Sequence, residues 1–539
     1  MSGKKIFYGD DARQRVLAGA KIVHDTIAGT LGPRGQNVLL GKHGSAPIIT
    51  KDGINAVKSI TIDDIDDETL GYNVGIELVK SASGSMDKVG DGSTTVAILT
   101  YHILNEANKL IAAGYNPVEL RKGIEKISES LIKRLDKYSE DISDNSEKVA
   151  QIATISSGDA EVGKLIANVI KSIGADGTVT VEPGQGFGME HEITEGYTFN
   201  KGYASPFMAT NQTTMEASYK NVPVLVTDAK ITSAQDIIPL LESMNSEGKH
   251  DLVIIAEDIS GDALGMLIFN KAKGAFNTVV IKAPSFGDRR QQLLDDIAII
   301  TGATFISSER GQLLSKAEIS DLGTAKQVIV SADKTTIIDG QGAPEDIQNR
   351  SDELDALVKK AGSDYDKEFH EHRRSSLHGK VAIIRVGGTT ETEIEEKKFR
   401  VDDAVAAAKA AVKGGIVPGG AITLVNVASD YVDTSINETT EDRIVLNAVE
   451  QPFRILLQNA GFNPDIWLQQ VKEKRGWGVD VRDLGVLVNM KSAGIIDPTD
   501  VTRNALQFAT SIAATAITTG SMIVDIPEKE ELNPQAQLA

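Results

Sequence analysis

The chain has 539 residues, no cysteine and a formal net charge of −20 at pH 7. Its length predicts three or four domains, each large enough for its own core. The missing cysteines exclude disulfides, thiol catalysis and thiolate metal sites, and the acidic balance excludes nonspecific nucleic-acid binding, which needs clustered Lys and Arg.

The longest apolar runs are short and broken by charge or glycine, so no membrane span is predicted. The first twenty residues lack a signal-peptide core, and Asp10-Asp11 oppose a transit peptide, so a cytoplasmic protein is expected. His370 and His372 are two apart and flanked by Arg373 and Arg374. They do not share a helix face, and no metal site is predicted there.

In chain order, Val16, Ala20, Val23 and Ile27 have helical spacing within residues 12–31, ending at Gly32-Pro33. Residues 37–40 and 48–50 form a hairpin pattern around a Gly/Ser/Pro-containing tip at 41–47. Helices are predicted over 68–84, 93–113 and 117–138, the last opened by Asn116-Pro117. From residue 176 short β-rich runs appear at 178–181, 222–227, 252–256, 278–282 and 327–331, alternating with helical patterns. Gly184-Gln185-Gly186-Phe187-Gly188 reads as a turn, since it does not match Gly-x-Gly-x-x-Gly. A long helix starts at Thr389-Thr390, with Thr390 and Glu393 as a capping box, and stops at Gly414-Gly415. Residues 504–519 close the helical part, followed by a strand at 522–526 and a polar tail. Helical ends around a mixed middle predict a discontinuous domain built from both termini.

The chemistry concentrates at Gly90-Asp91-Gly92-Ser93-Thr94-Thr95. Glycines before a helix start suit a phosphate, and Asp91 offers an oxygen to a hard cation. No Walker A motif occurs. Taken alone, the segment is equally consistent with a capped turn. Its candidate partners are Lys51-Asp52, Asp403 on the long helix and Pro418-Gly419-Gly420. A second set is apolar: Leu264, Ile268 and Phe269 share a helix face, as do Ile238 and Leu241, while Tyr203, Phe207 and Met208 surround Pro206. Spacing favours a core role for these, the alternative being an exposed protein-binding patch.

Along nearly its whole length the chain resembles a group I chaperonin of the GroEL type. The matching segments are Thr30 to Val38, Ile49 to Gly53, the GDGSTT segment, Gly196 to Pro206, Lys282 to Arg290, Val401 to Ala404 and Asp497 to Gln507. The resemblance implies a multidomain α/β chain of GroEL-like chaperonin fold. It would have a helical equatorial ATPase domain (1–137 and 414–539), a small α/β intermediate domain (138–194 and 382–413) and an α/β apical domain (195–381). It implies an ATP-dependent chaperone in seven-subunit rings, usually two stacked, that captures unfolded proteins and encloses them under a GroES-type co-chaperonin. A paralogue that binds proteins without enclosing them is the alternative. An ordinary ATP-dependent phosphotransferase would need an acceptor pocket, for which no compact polar constellation is visible.

Carried over by position, the resemblance puts Thr30, Leu31, Gly32, Pro33 and Lys51 at the nucleotide. Asp91 would hold Mg2+, with K+ also expected, and Gly92, Ser93, Thr94 and Thr95 would bind the phosphates. Asp403 would orient the attacking water, helped by Asp52. Gly419, Gly420, Asp480, Ile495 and Asp497 would line the base and ribose pocket. Tyr203, Phe207, Met208, Ile238, Leu241, Leu264, Ile268, Phe269 and Asn270 would take clients and co-chaperonin, and Gly196, Gly379 and Gly415 would be hinges. Departures from the family pattern are Lys380 beside Gly379, a short insertion between Ile65 and Leu78, an inserted residue near Asp480, and a tail (527–539) without Gly-Gly-Met repeats.

Overall fold

The computed structural model describes residues 3–41, 48–64, 66–175, 177–184, 186–211, 214–435, 438–483 and 485–526. The hairpin tip beyond Gly41, Ile65, Gln185 and the polar tail lie outside them. Two compact units are present: Met1–Ala175 with Val181–Glu190 and Arg385–Ala539, and Asp176–Thr180 with His191–Ile384.

The first unit is mainly helical. Its core joins the helices Gly9–Ile27, Tyr72–Gly84, Ser93–Ala112 and Pro117–Leu135 to the Thr440–Val449 and Thr499–Ala516 helices from the other end of the chain. Each presents an apolar stripe, such as Val16, Ala20, Val23 and Ile27, which is buried together with Ala505, Ala509 and Ala513. Asn116 caps its helix by accepting from Val118 N at 2.8 Å, with Pro117 at the first helical position.

The structure departs from the sequence expectation at both ends of this unit and at the cap of the long helix. Lys4–Tyr8 is a strand, antiparallel to Ser521–Asp525, with Lys4 opposite Asp525. The closing helix begins at Thr499, five residues early, directly after Pro498 and with Asp500 in its first turn. The long helix spans Glu391–Gly414 and ends on Gly415 at φ 78°. Thr390 Oγ1 accepts from Glu393 N at 3.2 Å, but Glu393 reaches back to Thr389 N (2.8 Å), one residue before the reciprocal capping-box partner.

The second unit is built on a mixed sheet. Strands Asn277–Lys282, Asp251–Ala256 and Ala217–Thr227 are parallel neighbours; Gly323–Val330, Thr335–Gly340 and Met189–Phe199 continue antiparallel, followed by Lys380–Val386 and Thr178–Pro183. Leu252 to Ala256 and Thr278 to Ile281 are buried residue after residue, the pattern of a parallel strand covered on both faces. One charge cluster is sunk in this unit. Asp296, fully buried, accepts from Arg373 at 2.6 and 2.9 Å and from Arg350 at 2.8 Å.

Candidate functional site

In the helical unit, a cavity of about 870 Å³ collects segments from distant parts of the chain. That is within the size range of ligand pockets. Thr30 to Pro33, Lys51, Asp52, Asp91 to Thr95, Asp403, Gly420, Asp480, Ile495 and Asp497 all line it. Gly419 does not. It sits behind the wall, its N–H on Ile495 O at 2.9 Å, with a Cβ there falling 3.0 Å from Asp497 Oδ1.

In the Gly90 to Thr95 segment the Ser/Thr side-chain cap that a plain capped turn would use is absent. The Ser93–Ala112 helix is capped by Gly92 in the left-handed region (φ 90°), and no side chain caps it. Ser93, Thr94 and Thr95 at the helix start line the cavity, where a helix N-terminus offers its unpaired N–H groups and positive dipole end. Gly90 (φ 89°) lies against the long helix: a Cβ there would be 2.0 Å from Ala406 Cβ. Gly53 gives the second close approach, where a Cβ would meet Thr94 Oγ1 at 2.2 Å.

Asp52 caps the helix Gly53–Ser59, accepting from Ile54 N (3.0 Å) and Asn55 N (3.1 Å). Its carboxylate is thus fixed on the cavity wall by backbone donors. Thr30 Oγ1 lies 3.5 Å from Thr94 Oγ1, and Lys51 Nζ donates to Pro33 O at 3.4 Å. Asp497 enters through the strand pair Ile416–Pro418 and Ile496–Pro498, which sets it opposite Val417 and beside Gly419.

The electrostatics are those of crowded carboxylates. Asp91 opens to the cavity, yet the protein packed around it strips bulk water and raises its pKa; the Asp52 charge adds to this, against a 2.6 Å bond from Gly92 N. Asp497 is pushed up to about 7, by burial first and then by Asp91. Asp480 moves the other way because Arg482 holds both its oxygens, at 3.0 and 2.9 Å. Burial, then the Arg400 charge, lowers the Lys51 pKa. Like charges facing one space fit a divalent cation, which would relieve the repulsion. Among the described residues no group of three or more His, Cys, Asp or Glu could hold a metal by itself. A cation here would draw its remaining ligands from phosphate oxygens and water, as Mg2+ commonly does.

Sequence reading missed several cavity residues: Glu396, Phe399 and Arg400 on the long helix, Arg482, and the segment Thr154 to Gly158. It also missed Asn459, whose Nδ2 donates to Ala28 O (2.9 Å) and Leu31 O (3.0 Å) and so pins the Thr30 loop. The one available signal was the 396, 400, 403 spacing, which reads equally as a solvated charged face.

In the sheet unit the apolar set divides. Phe207 (72% exposed) and Phe269 (57%) stand in solvent, and Ile238, Leu264, Ile268 and Asn270 are half-buried. Tyr203, Met208 and Leu241 do not reach the surface expected of them. Met208 turns under the Pro206–Met208 turn, and its sulfur accepts from Val280 N at 3.3 Å; Tyr203 bridges to Ile281; Leu241 is on the inner face of its helix. Of the expected hinges, Gly196 N donates to Gly379 O at 2.9 Å, and a Cβ on Gly196 would strike Val381 Cγ2 at 2.4 Å. Lys380 starts a strand with its side chain exposed.

The sequence profile of the TCP-1/cpn60 chaperonin family matches residues 23–527. Among solved structures the chain is similar to the chaperonin gp146 from bacteriophage EL 2 (Pseudomonas aeruginosa), crystallised in the presence of ATP-BeFx. Crystal form II gives a TM-score of 0.67 at 21% identity, covering 97% of this chain and 99% of that one. Crystal form I gives 0.61 at 22% identity with the same coverage. At such identity the likeness is one of fold.

Proposed function

The chain belongs to the TCP-1/cpn60 chaperonin family, a family of ring-forming ATPases that bind unfolded proteins, and from that premise we propose an ATP-dependent folding chaperone whose nucleotide binds in the cavity of the helical unit. The observation that carries this reading is that Asp52, Asp91 and Asp403, from three separate elements, line one space with the helix start at Ser93.

Phosphoryl transfer asks a protein mainly for positioning and charge stabilisation. The Ser93 to Thr95 helix start and Lys51 receive phosphate oxygens, and Thr30 to Pro33 border the nucleotide. Mg2+ held by Asp91 would neutralise charge on the triphosphate. Asp403 takes the proton of a water positioned for in-line attack, with Asp52 helping to orient it. Gly420, Ile495, Asp480 and Asp497 border the base and ribose. Clients bind at the exposed aromatic positions Phe207 and Phe269 with the half-buried Leu264 and Ile268. Encapsulation in seven-subunit rings under a GroES-type partner, with K+ as an additional ion, completes the proposal.

The test is Asp403→Ala. ATP binding and assembly should persist while turnover falls by about 10² or more, the scale of losing a positioned proton acceptor. Unchanged turnover would remove Asp403 from the mechanism. Electron microscopy with and without ATP and a GroES-type protein reads ring symmetry and lid binding directly.

A further inference from the structure

The cavity has a charge problem that the residues discussed so far do not solve. Six lining side chains are acidic: Asp52, Asp91, Glu396, Asp403, Asp480 and Asp497. A nucleoside triphosphate adds roughly four negative charges, of which one divalent cation cancels two. Three lining side chains are cationic: Lys51, Arg400 and Arg482. Arg482 is engaged by Asp480 through both carboxylate oxygens.

Arg400 is placed differently. It lies on the Glu391–Gly414 helix, four residues after Glu396 and three before Asp403, so the three share one helix face. All three line the cavity. Arg400 is ion-paired with Glu396, its side chain remains 47% exposed, and its charge is felt by Lys51. A guanidinium held by one carboxylate at a half-open surface is exchangeable, since solvent screens such pairs and they contribute little. A phosphate offers the same planar fork a denser charge and more oxygens.

We infer that Arg400 leaves Glu396 for the terminal phosphate of the bound triphosphate, and that the helix presents it together with Asp403 as a second catalytic group. The inference rests on the cavity being the ATP site. In the step it serves, water oxygen bonds to the γ-phosphorus and the water proton passes to Asp403. The bond from that phosphorus to the bridging oxygen breaks, and its electron pair stays on the departing diphosphate. Arg400 stabilises the charge spread over the three other γ-oxygens. A diphosphate has no such group, so Arg400 also separates ATP from ADP.

The experiment uses the full chain with Mg2+ and measures ATP and ADP affinity by calorimetry and turnover by phosphate release. Arg400→Ala should weaken ATP about tenfold or more, leave ADP within about twofold, and lower kcat by about 10²–10³. Alanine is the best helix former, so the helix itself is not at risk, and a melting curve checks this. Arg400→Lys should recover affinity more than kcat, because charge returns without the fork. Glu396→Gln, which removes the competing anion, should tighten ATP relative to ADP. Equal shifts for ATP and ADP in Arg400→Ala, or turnover within threefold of the parent, would overturn the inference. So would Glu396→Gln reproducing the Arg400→Ala loss, since the pair would then only hold the helix. A parent protein that neither binds nor turns over Mg·ATP would instead sink the ATP-site reading itself.

Discussion

Gly90→Ala tests how closely the long helix must seat on the Gly90–Gly92 loop. The new Cβ would lie 2.0 Å from Ala406 Cβ, and Gly90 has φ 89°. Carbon atoms rest at about 3.5–4.0 Å, so relief requires the helix to retreat about 1.5–2 Å. Asp403 is one turn before Ala406 on that helix and retreats with it. A misplacement of about 1 Å costs on the order of 10² in rate, so kcat should fall at least 10²-fold. The strained left-handed alanine adds about 1–2 kcal/mol of destabilisation. Phosphate-release kinetics and calorimetric ADP binding separate the two effects, because ADP affinity should move only a few-fold. Ala406→Gly on the same background removes the clashing methyl and should restore part of kcat without removing the backbone strain. Turnover within threefold of the parent would refute the argument that this contact sets the reach of Asp403.

Three further outcomes are expected. Asp497 has a folded pKa near 7, above its unfolded value, so the unfolded chain ionises first as pH rises and stability is lost progressively between about pH 4 and 7. Asp497→Asn should therefore raise the melting temperature of the nucleotide-free protein at pH 8 and lose that advantage toward pH 4; an equal shift at both ends contradicts the assignment. Phe207→Ser and Phe269→Ser should reduce capture of an unfolded protein with melting unchanged, whereas Met208→Ser and Leu241→Ser should chiefly lower melting, in line with their burial. Arg373→Ala leaves the buried Asp296 with Arg350 alone, and loss of a buried partner costs about 3–5 kcal/mol, read by denaturant unfolding.

What the sequence carried well was local chemistry. Asn116-Pro117 opens a helix, Gly414-Gly415 ends one, and the β-rich runs after residue 176 are strands, because caps, breakers and alternation act over a few residues. The cavity loops were legible through the resemblance, since their order in the chain is what the resemblance consists of. What escaped depends on partners far away. Lys4–Tyr8 becomes a strand only because Ser521–Asp525 lies beside it, and Asn459 acts on a loop more than 400 residues earlier. Met208 was placed at the surface by the resemblance, against its spacing, and the Pro206–Met208 turn instead tucks its side chain under itself, as the spacing had favoured. Arg400 escaped for the opposite reason: a charged helix face reads as solvated, and only the fold turns it toward a cavity.

The pairing of Lys4–Tyr8 with Ser521–Asp525 has a consequence for synthesis on the ribosome. The helical core combines residues up to Leu135 with others from Val417 onward, separated by roughly 280 residues. At about 5–20 residues per second, the first helices wait about 15–60 s for the segments that cover them. During that interval Val16, Ala20, Val23 and Ile27 have no completed core, while the sheet unit emerges whole. A nascent chain of this topology is therefore itself a candidate for assistance, and earlier copies of the finished protein are a natural source of it.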